Sequence, residues 1–265
     1  MSVVASRRWQ PPSPWGRRWI GAVVWTALVA FLVWNAVSLQ VDPARLARGL
    51  GRLGTVAAKA FPPSFERWQI LVSGVWESVE MATLSTLFGV LIGIPVAVLA
   101  ARNVVPLPVY AGGRLAITLA RTFHELIVAI VFVKAVGFGP LAGTLTLTLN
   151  SLGFFSKLLA EQIETIDRGQ IEAIRATGAS PAKVLIYGVL PQVLPRIVGL
   201  TVYQWDIHLR QSTIIGLVGA GGIGATLYNA FARYDYDFAL AILIVIVAIV
   251  IVGEAVSAIA RRRVQ

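Results

Sequence analysis

The stretch Trp19-Ile20-Gly21-Ala22-Val23-Val24-Trp25-Thr26-Ala27-Leu28-Val29-Ala30-Phe31-Leu32-Val33-Trp34-Asn35-Ala36-Val37-Ser38-Leu39 carries no charge. About twenty apolar residues in a helix cover the ~30 Å hydrocarbon core of a bilayer, so this run reads as a membrane crossing. Ala36-Val37-Ser38 loosely fits a signal cleavage site. The apolar part of a signal peptide is normally about 7–15 residues long, however, and the run is read as an uncleaved anchor. The whole chain agrees with a membrane setting. Of its 265 residues, 57% are hydrophobic and 14% charged, at a mean hydropathy of +0.75, whereas an ordinary soluble domain carries about 25% charged residues. Thirteen acids and 23 Lys/Arg cannot clothe such a core in water. Cysteine is absent, which excludes a disulfide framework, a thiolate metal site and a Cys nucleophile. The net charge of +10 would suggest nucleic acid for a soluble protein. In a bilayer it raises instead the question of which side holds the basic residues, and no nucleic acid partner is expected.

Further crossings are expected within 79–101, 115–136, 141–160, 197–218 and 238–260, making six transmembrane helices in an all-α integral membrane protein. The second places Ser85, Gly89, Gly93, Ala97 and Ala101 four apart, a small-residue stripe that lets a neighbouring backbone approach. In the fourth, Thr144-Leu145-Thr146-Leu147-Thr148-Leu149 alternates with period two, as a strand does. A lone strand leaves its backbone unsatisfied in lipid, so the segment is read as helix. Between the first two crossings, Asp42 can cap a helix that starts at Pro43. Its Arg45, Arg48, Arg52 and Lys59 share one face and Leu46, Leu50, Leu53 and Ala57 another, and Pro62-Pro63 ends it. This reads as a helix lying in the membrane interface, with a solvated basic loop as the alternative. Placing the N-terminus inside puts fourteen Lys/Arg in cytoplasmic segments against six outside, which favours both termini in the cytoplasm. Residues 1–76 form a basic tail, first crossing and interfacial helix, and 77–265 a core domain with a cytoplasmic loop at 161–194.

That loop reads Asp167-Arg168-Gly169-Gln170-Ile171-Glu172-Ala173-Ile174-Arg175-Ala176-Thr177-Gly178, continuing to Ser180-Pro181 and Leu190-Pro191. Gly178 stands where a helix end wants its left-handed residue, and Ser180 with Pro181 restarts a helix at N-cap and first position. Two short helices at a fixed bend suit docking to a soluble partner. An ordinary connector is the other reading of the same residues.

Glu172-Ala173, Gly178 six residues after the Glu, and Leu190-Pro191 resemble the EAA coupling loop of binding-protein-dependent ABC importer permeases. Ile174 stands where a second Ala is usual and Gly188 where Ile is usual. Arg121-Thr122-Phe123-His124-Glu125-Leu126 and Arg210-Gln211-Ser212-Thr213 followed by Gly216-Leu217-Val218-Gly219-Ala220-Gly221-Gly222-Ile223-Gly224 resemble the phosphonate permease branch, related to methionine permeases. The similarity runs from about Pro62 to Arg263 and includes Ala101-Arg102-Asn103 and Tyr187-Gly188-Val189-Leu190-Pro191. His124 occupies a position where that family usually has Pro, which singles out the helix geometry there.

The resemblance implies a type I ABC importer transmembrane domain in a bacterial plasma membrane. It would carry a phosphonate or related phosphorus oxyanion, with another small solute such as methionine or phosphate as the alternative. The implied partners are a second permease subunit, identical or paralogous, two cytoplasmic ATPase subunits holding ATP and Mg, an extracytoplasmic phosphonate-binding protein, and membrane lipid. Coupling to the ATPase falls on Glu172, Ala173, Arg175, Gly178, Ala179, Leu190 and Pro191. The translocation pathway falls on Arg121, His124, Glu125, Asp206, His208, Arg210, Ser212 and Thr213, and an outer gate on Gly219, Gly221, Gly222 and Gly224. Ionisable residues inside spans are costly and therefore candidates for function. Arg121 with Glu125 and Asp206 with Arg210 are four apart, so each pair can meet on one helix face, either along an anion path or as internal neutralisation that fixes packing. Gly219, Gly221 and Gly224 also fit a dinucleotide fingerprint, but that motif needs a preceding strand within a βαβ unit. A flexible outer mouth, or close helix packing, is the reading kept. His124 and His208 lack metal-site spacing, so no metal, cofactor or catalytic residue is expected in this chain. No GxxxxGK[ST] occurs, so ATP hydrolysis belongs elsewhere. A membrane enzyme acting on lipid phosphate would need acids gathered with His, whereas Glu161, Glu164, Asp167 and Glu172 are strung along the loop. A structural scaffold would need neither the bent loop nor the arginines within the spans.

Overall fold

The structure is a computed structural model that describes residues 18–39 and 42–264. The basic segment before Arg18 lies outside the described residues. The chain divides into two units, Met1–Val56 and Ala57–Gln265. In the first, α1 (Arg18–Ser38) is the uncharged run, followed by α2 (Pro43–Ala60), whose last residues belong to the second unit. Asp42 caps α2 as expected: its Oδ1 accepts from the Ala44 N–H at 2.8 Å, and Arg48 returns to its Oδ2 at 3.4 Å. No residue of α2 is buried, so Leu46, Leu50 and Leu53 leave the apolar face of the helix exposed.

The second unit contains α3 (Trp68–Leu99), α4 (Leu107–Thr122), α5 (Glu125–Val136), α6 (Pro140–Glu164), α7 (Arg168–Ala176), α8 (Pro181–Val184), a π-helical turn at Leu185–Val189, α9 (Leu190–Gly216), α10 (Gly222–Ala232) and α11 (Tyr236–Val264). Its centre is the pairing of α3 with α6, flanked by α9 and α10. The small-residue stripe makes this pairing. A Cβ added to Gly89 would lie 2.2 Å from Ser151 Oγ, and one on Gly93 2.8 Å from the Phe155 ring. At that approach Ser85 donates to the Thr144 carbonyl at 3.1 Å and Ser156 to the Gly93 carbonyl at 3.1 Å. Polar side chains thus tie together helices that gain nothing by hiding apolar surface from lipid.

The Thr-Leu alternation is helical. Thr144, Thr146 and Thr148 each donate to the carbonyl four residues back, at 2.7–2.9 Å, so their hydroxyls are satisfied within α6 itself. Among the described residues, four helices are long and apolar enough to cross a membrane, or five if the bent pair α4–α5 counts as one. α6 is a 25-residue helix with much of its length buried, and it is not one of these. The third crossing is not the continuous helix expected over 115–136: α4 and α5 meet at 84°. Phe123 and His124 adopt extended backbone, with ψ of 135° and 139°, and the His124 ring accepts from the Leu126 N–H at 3.3 Å, capping α5. The boundary drawn at residue 76 falls inside α3, which starts at Trp68. Within the second unit, the short segment just ahead of α3 is fastened to the start of α11. Ser64 N–H donates to the Asp237 carbonyl at 3.2 Å, and Arg67 binds Asp235 at 2.5 Å while stacking on Phe238.

Candidate functional site

The bent loop is held from both sides. The Asp167 side chain accepts from the Gly169 N–H at 2.8 Å to start α7, and Gly178 stops it with a φ of +76°. Gln192, one turn into α9, accepts from the Asp167 N–H at 2.9 Å and donates to the Gly188 carbonyl at 2.7 Å. Ile171 is buried in a cluster with Val184 and Val189, and Ile174 and Ala179 pack against it. A Cβ on Gly188 would meet Ile174 Cδ1 at 3.2 Å. The two departures from the usual loop pattern therefore face each other across a single contact. Glu172, Ala173, Arg175 and Gly178 are exposed on the outer side of the bend, as are Leu190 and Pro191 where α9 begins. Beside them Arg102, Asn103, Glu164, Arg168, Glu172 and Arg175 line a cleft of about 590 Å³. Its rim is fixed by Glu164, which accepts from Arg114 and from the Arg102 N–H, both at 2.9 Å.

Within the bundle, one of the two expected Arg–acid pairs forms. Arg210 binds Asp206 on α9, with the Asp side chain buried and the Arg side chain 45% exposed. Asp206 Oδ1 has no partner. Arg121 and Glu125 do not pair, because the α4–α5 bend falls between them and removes the common helix face. Glu125 instead accepts from Asn150 Nδ2 of α6 at 2.8 Å, and Asn150 reaches Gln211 of α9 at 3.4 Å, joining three helices through a half-buried polar cluster. Asn150 and Gln211 were not among the expected site residues. A lone amide after the Thr-Leu run is the only sign of Asn150 in the sequence. Arg121 lies with its stem over Gly153 and lines a cleft of about 400 Å³ with Arg114, Thr118, Thr122 and Lys157. His124 is exposed at the bend.

His208 sits in the packing of α9 against α3. It is wholly buried, with Nδ1 2.9 Å from Thr86 Oγ1 and Nε2 2.8 Å from the Gln204 amide. Thr86 gives its own hydrogen to the Ala82 carbonyl. One neutral tautomer therefore satisfies the ring, with Nδ1–H donating to Thr86 and Nε2 accepting from Gln204. Ser212 is equally buried and donates to the Leu209 carbonyl. Thr213 is half-buried, its carbonyl pressed against Gly224.

The glycine segment forms a tightly packed turn. Gly219, Gly221 and Gly222 have φ of +91°, +84° and +73°. Side chains on them would meet Phe138 at 2.4 Å, Pro140 N at 2.6 Å and Ser78 Oγ at 2.7 Å, and one on Gly224 the Thr213 carbonyl oxygen at 1.9 Å. Glu77 and Ser78 of α3 accept from the N–H groups of Gly222 and Ile223, both at 3.0 Å, so the start of α10 is capped from a neighbouring helix. A helix precedes the motif, which removes the dinucleotide reading.

An all-helical membrane unit with a rigid bent loop at one end, a packed glycine turn and charged groups within its spans has the build of an importer permease, a transport subunit whose ATPase is a separate chain. Residues 89–265 match the family model described as binding-protein-dependent transport system inner membrane component, and the chain belongs to that family. It is 41% identical over 188 residues to the phosphite transport system permease protein PtxC of Stutzerimonas stutzeri, covering 71% of this chain and 68% of that one. It is 38% identical over 212 residues to the phosphate-import permease protein PhnE of Mycolicibacterium smegmatis, covering 79% of this chain and 39% of that one. Among solved structures, the methionine ABC transporter MetNI in an inward-facing conformation superposes with a TM-score of 0.67 at 26% identity, over 76% of this chain and 99% of that chain.

Proposed function

We propose that this chain, together with a second permease subunit, forms the pathway by which a phosphorus oxyanion (phosphite, phosphonate or phosphate) enters a bacterial cell. ATP and Mg on two cytoplasmic ATPase subunits, docked on the exposed side of α7, drive the change of access. An extracytoplasmic binding protein delivers the solute, and both termini of this chain face the cytoplasm. The observation that carries the solute assignment is Arg210, whose guanidinium is anchored by the buried Asp206 carboxylate yet remains 45% exposed. An anion crossing a low-dielectric passage needs a cation that does not itself have to be desolvated on arrival, and an arginine held at one edge by its own carboxylate supplies one. The names borne by the relatives support the same class of solute. The test is uptake into proteoliposomes holding the complete importer, with binding protein outside and ATP inside. ATP-dependent accumulation of phosphite, phosphonate or phosphate is expected. Accumulation of methionine with none of the three overturns the solute assignment while leaving the permease fold untouched.

A further inference from the structure

At the loop end of the bundle, a cleft of about 670 Å³ opens between α6, α9 and the end of α11, lined by Leu158, Gln162, Pro195, Arg196, Gly199, Leu200 and Arg261. It is separate from the clefts at Arg121 and at the bent loop, with which it shares no lining residue. Two guanidinium groups and an amide face it, and no carboxylate lines it. Neither Arg196 nor Arg261 is in an ion pair among the described residues. The nearby acids are engaged elsewhere, Glu161 with Lys157 and Glu164 with Arg114. Arg261 Nη1 is buried without a hydrogen-bond partner, an expensive state for a charged donor that an anion would relieve.

Gly199 supplies an independent sign that the space is kept open. It sits inside a helix, where glycine costs roughly 0.5–1 kcal/mol against alanine, yet a Cβ added there meets nothing within 4 Å. No packing demand explains it. Its absence of a side chain leaves room beside Arg196, three residues earlier on the same helix face.

We propose that this cleft is a binding site for a tetrahedral phosphate-type oxyanion, held by Arg196 and Arg261 with the Gln162 amide as a further donor. Arginine forks match such oxygens in pairs, and the leucines beneath suit whatever apolar stem the phosphate carries. Two sources share this chemistry, the headgroup of an anionic phospholipid and a free phosphate ion. The site stands independently of which solute the importer carries.

The test uses the assembled permease–ATPase complex with three forms of this chain: wild type, Arg196→Gln with Arg261→Gln, and Gly199→Leu, which fills the cleft without changing charge. Native mass spectrometry after exchange into phosphatidylglycerol reads retained lipid. Thermal shift against inorganic phosphate, with sodium chloride at matched ionic strength as the control, reads the free ion. If a lipid headgroup is the ligand, wild type retains phosphatidylglycerol and both variants lose about tenfold or more of that retention, the scale of losing charge-assisted bonds. If the free ion is the ligand, phosphate raises the wild-type midpoint by more than that of either variant, any shift common to all three forms belonging to the translocation pathway. Equal lipid retention and equal shifts in all three forms overturn the proposal. Gly199→Leu favours the helix, so it carries the test alone if the double arginine variant fails to assemble.

Discussion

Arg210 and Asp206 make contributions that mutation can separate. Replacing Arg210 alone leaves a buried carboxylate with neither oxygen satisfied, since Asp206 Oδ1 already lacks a partner. An orphaned buried acceptor costs about 1–3 kcal/mol, so Arg210→Gln is expected to lower both assembly and uptake. Adding Asp206→Asn removes the orphaned charge. The double variant should therefore recover assembly, read by size-exclusion of the complex, while uptake of the oxyanion stays lost. Recovery of both would make the pair a packing device and remove Arg210 from the pathway. The same logic does not extend to Arg121, which has no carboxylate to orphan. Arg121→Gln should leave assembly unchanged, and any fall in uptake then measures its charge directly.

The α7 bend and the strap before α3 give two expectations for whole elements. Gly178 holds a φ of +76° with open space around it. Gly178→Ala therefore suffers only the backbone penalty, about 1 kcal/mol, whereas Gly178→Asp adds a charge on the face where a partner would dock. Both variants should insert, and substrate-stimulated ATPase activity should fall far more for Asp than for Ala. Equal activity in wild type and Gly178→Asp would remove the bend from coupling. At the other end, the hydrogen bond from Arg67 holds the Asp235 carboxyl below the usual carboxylate range. A group with a lowered native pKa stabilises fully above its unfolded value, about 3.9, and loses that contribution as pH falls through the lowered one. Thermal stability should thus be flat in this respect from pH 7 to about 5 and decline only below about 4, and Asp235→Asn should flatten that decline. The side chains are 41% and 27% exposed, so the contribution is small, about 0–1 kcal/mol. Helix positions, the α3–α6 stripe and the α7 stop were legible because each rests on local chemistry: apolar length, four-residue spacing of small side chains, a glycine after a helix. The α4–α5 break was marked only by His124, and its depth of 84° depends on packing that no local pattern encodes. The Glu125–Asn150–Gln211 cluster and the Ile174–Gly188 contact join residues far apart in sequence, and a single chain carries no mark of such partnerships.

For the molecule as a whole, the number of crossings decides which side each terminus occupies, and the helices divide on it. Four pass by length and apolar character alone, and the bent pair makes five. An odd count would put the termini on opposite sides. α6 decides the matter. Its 25 residues extend roughly 37 Å at 1.5 Å each, enough to cross ~30 Å of hydrocarbon. Its lower hydropathy comes from Thr, Ser and Asn side chains, of which Thr144, Thr146, Thr148, Asn150 and Ser156 are satisfied within the helix or against α3 and α5, while the buried Ser151 hydroxyl has no partner. A helix enclosed by its neighbours need not be apolar on every face, since its polar groups meet protein rather than lipid. α6 is therefore expected to cross. The expected count is then six, with both termini expected on one side, as the fourteen Lys/Arg on the proposed inner segments against six outside also predict. Reporter fusions before Met1, after Val104 between α3 and α4, and after Arg263 should all read cytoplasmic, and a fusion after Tyr234 should read external. A terminal fusion reading external while the other stays inside would mean that either α6 or the bent pair fails to cross, and a further fusion after Phe138, between α5 and α6, tells which: external if the bent pair crosses, cytoplasmic if it does not.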